Sequence, residues 1–356
     1  MPPVKPKIPK FSGGPTVKRP GWDVTNLEIL DGRSIHAVES KEQVQRMYNL
    51  LREVIGIPDD YTIQSVPGSC TGAMESAMWN LLGPLSVDVP ISAKFSQMWY
   101  DDIKNELGKN VRGIKSDHGT LPDLSKVNFD NDVVFTWNET GSGVQVPNGD
   151  WIPDDRSGLT ICDGATAVLG VDLPWEKLDA TAFSLQKCLG SEGGLGILVL
   201  SPRALKRLNS WKPTWAIPYI FRLNLGLRST PSMMTIADIL DSLEWINRNG
   251  GKQFMISRAY ESSSILYNWA EKTPWIEPLS KNPEIRSMTS VVLKVIDPNI
   301  TAPEIVNFMA TNNAGLDIFG YIGGPDEEIR FWTGGMVDPD DIKLVLPWLD
   351  YAYQQI

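Results

Sequence analysis

Phe183-Ser184-Leu185-Gln186-Lys187-Cys188-Leu189-Gly190-Ser191-Glu192-Gly193-Gly194 seats a single lysine between an apolar run and a glycine-rich turn. The preceding Ala180–Phe183 reads as a buried strand, so Lys187 stands at its carboxyl end. Desolvation there favours the neutral amine, and a neutral amine condenses with an aldehyde. Taken alone, Lys187 is better explained as a strand-end lysine reaching back to solvent. Partners elsewhere in the chain are needed to reverse that reading.

Working outward, short apolar runs at Val89–Ala93, Val133–Trp137, Leu159–Cys162 and Gly196–Leu200 predict further strands. Helical patterns at about Lys41–Ile55, Thr71–Leu82 and Gln97–Leu107 alternate with them, which suits a mostly parallel sheet covered on both faces. After Pro231 come two long helices, Met233–Asn247 and Gly251–Lys272, split by Asn249-Gly250-Gly251. A strand at Thr289–Ile296, a helix at Ala302–Asn313, strands near Leu316–Tyr321 and Ile329–Trp332 and a helix at Pro339–Tyr353 finish the chain. The expected organisation is an irregular arm (1–21), a large domain (22–250) and a smaller α+β domain (251–356).

The first partner is Asp163, which ends Leu159-Thr160-Ile161-Cys162 and is followed by the small residues Gly164-Ala165-Thr166-Ala167. On adjacent parallel strands Asp163 and Lys187 share the carboxyl-end rim, where α/β sheets place ligands. A carboxylate there can hold a pyridine nitrogen protonated and make the ring an electron sink. Capping the next helix is the plainer role for it. The second partner is Pro67-Gly68-Ser69-Cys70-Thr71-Gly72, small and hydroxyl residues that open a helix. Free N–H groups and the helix dipole favour an anion there, although a simple Ser/Thr cap explains the segment equally well. Phe95, just ahead of the Gln97 helix, offers an aromatic face, with core packing its equal alternative. An amine, a carboxylate, a phosphate cradle and an aromatic together point to pyridoxal 5'-phosphate.

With 356 residues, 42% of them hydrophobic, the chain can bury a large core and exceeds one compact domain. Its net charge of −10, with no basic cluster, argues against nucleic acid and anionic membrane as partners. Three scattered cysteines read as free thiols in a reducing compartment. The proline-rich start lacks the apolar core of a signal peptide and no run reaches spanning length, so a cytoplasmic location is expected. Two histidines, His36 and His118, leave little room for a metal site or a Ser-His-Asp triad.

Gly-Ser-x-Thr-Gly-Ala-Met-Glu at 68–75, Phe95-Ser96-Gln97-Met98-Trp99, Trp137-Asn138-Glu139-Thr140-Gly141-Ser142-Gly143, Asp163 and Ser184-Leu185-Gln186-Lys187 together resemble the fold-type I, class V aminotransferases over nearly the full length. Within them, Gln186, the arm Lys10-Phe11-Ser12-Gly13-Gly14-Pro15 and Ser229-Thr230-Pro231-Ser232 are most similar to the archaeal and bacterial phosphoserine aminotransferases. The resemblance implies a seven-stranded type of sheet in the large domain and a transaminase with glutamate as amino donor. Lys187 would link to the cofactor and then move the substrate proton, Asp163 would pair with the ring nitrogen, Phe95 would stack on the ring and Thr140 would touch the cofactor. Ser69, Cys70, Thr71 and Gln186 would surround its phosphate, with Ser229 and Thr230 reaching it from the second subunit of a homodimer. Arg330 would grip the substrate α-carboxylate in a bidentate pair. The resemblance does not settle whether Phe95 or Trp99 covers the ring.

The substrate end departs from the family pattern. Where phosphoserine enzymes show His-Arg after Gly-Arg-Ser, this chain reads Gly32-Arg33-Ser34-Ile35-His36, leaving Arg33 and His36 as the nearby candidates for substrate binding. No second arginine precedes Arg330 in Tyr321-Ile322-Gly323-Gly324-Pro325-Asp326-Glu327-Glu328. Each lost charge-assisted contact costs roughly 1.5–3 kcal/mol, so an unphosphorylated amino or oxo acid is the alternative substrate. A lyase or desulfurase is the runner-up chemistry, yet no cysteine stands on a suitable loop. A catalytically silent scaffold is opposed by the intact Lys187 and Asp163.

Overall fold

A computed structural model describes residues 1–223, 229–321 and 326–356. In chain order its elements are α1 (Val38–Ile55), β1 (Thr62–Pro67), α2 (Ser69–Leu81), β2 (Val87–Ile91), α3 (Lys94–Asp101), β3 (Val111–Lys115), β4 (Asp132–Thr136), β5 (Asn138–Glu139), β6 (Val144–Gln145), β7 (Thr160–Asp163), β8 (Ala180–Ser184) and β9 (Leu195–Leu200). There follow α4 (Pro202–Ser210), α5 (Met233–Arg248), α6 (Gly251–Ala270), β10 (Ile276–Pro278), β11 (Ser290–Val295), α7 (Ala302–Thr311), β12 (Glu328–Trp332) and α8 (Pro339–Gln355).

Seven strands form one sheet in the order β1-β9-β8-β7-β4-β2-β3. β3, β2, β4, β7 and β8 run parallel, whereas β9 is antiparallel to both β8 and β1. The five central strands β2, β4, β7, β8 and β9 are buried along their whole length, which is why their sequences read as continuous apolar runs. The reversal at β9 has a local cause. Residues 185–194, with Gly190 and Gly194 at positive φ, turn the chain straight back without a helical crossover. Lys187 sits on that return.

A second sheet, β10-β11-β12, is wholly antiparallel and packs under α6. Register sets Arg330 opposite Val292. The expected strand at Leu316–Tyr321 is not formed. Only single bridges occur there, Leu316 with Lys10 and Phe319 with Ile329, because Asp317 takes a φ of 61° and breaks the extended run. The helix expected from Gln97 begins three residues earlier, at Lys94, and passes into a π-helical turn at Asp102–Glu106.

The amino-terminal arm is tied down by backbone hydrogen bonds, among them Leu316 N–H donating to Pro9 O (2.7 Å). Phe11 N–H donates to Leu316 O (3.1 Å), Trp332 N–H to Phe11 O (3.0 Å) and Thr16 N–H to Gln186 O (3.0 Å). The arm therefore crosses β12 and ends beside the Lys187 turn. Among the described residues no helix is long and apolar enough to cross a membrane.

Candidate active site

β7 and β8 are adjacent and parallel, with Asp163 paired to Ala182, so Asp163 and Lys187 meet at the same sheet rim as expected. Both line a cavity of about 190 Å³, together with Ser69, Cys70, Thr71, Phe95, Trp99, Thr140 and Gln186. Eight of the ten residues predicted for catalysis and cofactor binding are thus brought together. Ser229 and Thr230 are not. They line a neighbouring cavity with Pro67, Gly193 and Gly194.

Asp163 receives three hydrogen bonds. Ala165 N–H (3.0 Å) and the Cys70 thiol (3.3 Å) donate to Oδ1, and Trp99 Nε1–H donates to Oδ2 (3.1 Å). Burial raises the Asp163 pKa, while these donors and the Lys187 charge pull it down. Phe95 and Trp99 both line the cavity, in different ways. The buried Trp99 points its indole N–H at the carboxylate, whereas Phe95 lies on the cavity wall with its ring edge-on to Tyr321 at 5.5 Å. The Cys70 thiol, expected near a phosphate, is spent on Asp163, and Asp163 raises its pKa further beyond what burial does.

Lys187 is held below the ordinary lysine range, first by burial and then by the charge of Arg330. Arg330 does not line the cavity itself. Its guanidinium lies 5.3 Å from the Tyr321 ring centroid, and burial lowers its pKa as well. Among the described residues no carboxylate pairs with Arg330, an open pairing position beside the amine.

The phosphate-side turn is built by close backbone packing. The chain enters α2 through Gly68 and Ser69, both at positive φ. A Cβ on Gly72 would stand 2.0 Å from Pro67 O, and one on Gly196 2.0 Å from Ser69 O, so β9 and α2 approach as only glycine permits. The Ser69 hydroxyl accepts from Gly194 N–H (2.9 Å), locking the Lys187 return onto the start of α2. Buried Gln186 Oε1 and the cavity-lining Thr136 and Ser184 hydroxyls have no protein partner among the described residues. A cavity with an amine, a clasped carboxylate, a helix amino terminus and unsatisfied polar atoms fits a flat, phosphorylated pyridine aldehyde.

The predicted substrate residues at the amino-terminal side fall outside this cavity. Arg33 is exposed and pairs with Glu39 (2.9 Å), and His36 is exposed. The position at 322, where a second cation was sought, lies outside the described residues. Of the acids before Arg330, Glu328 is buried against His118 Nε2 (2.7 Å) and Glu327 faces Lys294 (3.6 Å). Sequence reasoning missed Asn138 and Thr166, which line the cavity and bond to each other at 2.8 Å. Asn138 was visible as the residue between Trp137 and Glu139. Among the described residues no group of three His, Cys, Asp or Glu side chains could hold a metal ion.

A buried strand-end lysine beside a clasped aspartate, on this sheet, is the arrangement of the fold-type I enzymes. The class-V aminotransferase family model matches residues 30–316, and the chain belongs to that family. The phosphoserine aminotransferase of Methanosarcina mazei is 40% identical over 99% of this chain and 98% of its own length. Two solved structures share the fold. A phosphoserine aminotransferase from Cytophaga hutchinsonii (19% identity, TM-score 0.80) covers 90% of this chain and 91% of its own. The ureidoglycine–glyoxylate aminotransferase of Bacillus subtilis (16%, 0.83) covers 100% and 94%.

Proposed function

We propose that this chain is a pyridoxal 5'-phosphate-dependent aminotransferase of the phosphoserine type, moving an amino group between glutamate and a 2-oxo acid such as 3-phosphohydroxypyruvate. The observation that carries this reading is the placement of Lys187 and Asp163 on neighbouring strand ends around one cavity opened by the start of α2. Bound there, the cofactor supplies an aldehyde and a protonated ring that withdraws electrons from the substrate Cα. Lys187 holds the cofactor and then carries the proton at its Nζ, and its lowered pKa keeps the amine available for both tasks. Asp163, fixed by Trp99, Cys70 and Ala165, holds the ring-nitrogen proton. Phe95 covers the ring and Thr140 flanks it, while Gln186 and the opening of α2 at Ser69, Cys70 and Thr71 take the phosphate. Arg330, free of a carboxylate partner among the described residues, takes the substrate α-carboxylate.

The active unit on this reading is a cytoplasmic homodimer with the site at the subunit interface. Ser229, Thr230, Arg33 and His36 stand outside their own chain's cavity, which suits residues that serve the site of a second copy. The arm (1–21), the large domain (22–250) and the small domain (251–356) are the proposed divisions.

An unphosphorylated amino or oxo acid is the second reading, favoured by the ion pair that occupies Arg33. The test is a half-reaction screen that follows the loss of the cofactor aldehyde absorbance with each amino acid, phosphoserine included. Rapid conversion by phosphoserine supports the first reading. Conversion by glutamate and an unphosphorylated acid but not by phosphoserine supports the second.

A further inference from the structure

We propose that Glu139 is a positioning residue of the site: its buried carboxylate ties the amino terminus of α3 to β5 and so fixes Phe95 and Trp99 against the cofactor cavity. The residue capping α3 is Ala93, whose side chain cannot accept a hydrogen bond, which leaves the helix's first N–H groups in need of acceptors. Glu139 supplies one from another element. Its Oε1 accepts from Ser96 N–H at 2.7 Å and from the Ser96 hydroxyl, and the Phe95 amide also faces it. The Ser96 oxygen in turn accepts from Ser92 N–H (3.1 Å) and Ala93 N–H (3.3 Å), so Ser96 links the turn entering the helix to the Glu139 carboxylate.

That turn controls two contacts with the cavity. Phe95 is the helix's second residue and lines the cavity wall, and Trp99, one turn on, donates to Asp163. A shift of α3 would move the ring-covering side chain and the aspartate's donor together. Placing a carboxylate there is costly. Glu139 is 1% exposed, its Oε2 has no partner among the described residues, and burial raises its pKa to about 7, with the Asp163 charge adding to the rise. A residue serving only to fill space would be apolar, whereas a carboxylate meets the helix dipole and several donors with one oxygen.

The proposal rests on Phe95 covering the cofactor ring, and its test separates the two. Cofactor affinity of the apoprotein and visible circular dichroism of the bound cofactor are measured for Glu139→Ala, Glu139→Gln, Ser96→Ala and Phe95→Ala. Glu139→Ala is expected to weaken cofactor binding about tenfold and reduce the dichroism, a loss near the size of a helix cap plus one misplaced aromatic contact. Glu139→Gln, which keeps an acceptor in place, is expected to restore both to within about threefold. Should Glu139→Ala not fold, Ser96→Ala carries the same expected direction. Unchanged affinity and dichroism in Glu139→Ala or Ser96→Ala, with both lost in Phe95→Ala, overturns the proposal. Unchanged values in Phe95→Ala overturn it too, by removing the ring contact on which it depends.

Discussion

Trp99 Nε1 lies 3.1 Å from Asp163 Oδ2, and the two residues come from α3 and β7, elements 64 residues apart in the chain. The contact gives the buried carboxylate a fixed direction and opposes the rise in its pKa that burial causes. Trp99→Phe retains most of the ring volume and removes the donor. A hydrogen bond to a charged group contributes roughly 1.5–3 kcal/mol, so kcat should fall about tenfold or more and the melting temperature should fall with it. Steady-state kinetics beside a thermal melt check this.

Arg330 acts at a distance on Lys187 and, on the proposed reading, directly on substrate. Losing its charge in Arg330→Gln removes the second cause of the low Lys187 pKa, which therefore rises. Cofactor capture by the apoprotein needs the neutral amine, so its acid limb should move to higher pH. The lost bidentate pair should raise KM for the amino acid by about ten- to a hundredfold, and Arg330→Lys should restore little of it. Stopped-flow capture across pH and substrate titration give the two readouts.

The arm's glycines are set by contact. A Cβ on Gly13 would stand 2.4 Å from the Trp332 ring, and one on Gly14 3.4 Å from Lys187 Nζ. Trp332 is 3% exposed and cannot move freely. Gly13→Ala should cost roughly 1–3 kcal/mol, as overpacking does, and should disturb activity because the arm ends at Gln186. Denaturant melts of the two proteins measure the first effect.

His118 pairs with Glu328, and that hydrogen bond raises its pKa above the ordinary histidine value. A group with a raised folded-state pKa stabilises fully below its unfolded pKa and loses that contribution as pH rises through the folded one. His118→Gln should therefore destabilise more at pH 6 than at pH 8. His118 is 38% exposed, so solvent screening keeps the difference to about 1 kcal/mol or less. Melts at the two pH values test the sign.

Much of this architecture was legible because the central strands are buried on both faces and carry plain apolar runs. Lys187 and Asp163 were found from their places at the ends of two such runs. The edges were harder to read. β1, Thr62–Pro67, and β3, Val111–Lys115, mix polar and apolar residues because each has a neighbour on one side only. β10 is three residues long, too short for a pattern. Leu316–Tyr321 has the apolar content of a strand, but Asp317 breaks its backbone. The contacts of Phe95 and Trp99 follow from how α3 is rotated, and its Ser96 bond to Glu139 of β5 cannot be read from the helix's own residues. The placement of Arg33 and His36 outside the cavity follows from tertiary packing, which no local motif encodes.

The central claim concerns Lys187. Protein loaded with pyridoxal phosphate is reduced with borohydride, digested and mapped by mass spectrometry, with Lys187→Ala treated in parallel. The account predicts one phosphopyridoxyl label on the peptide carrying Lys187 and none in the variant. A label on another lysine, or equal labelling of the variant, would contradict it.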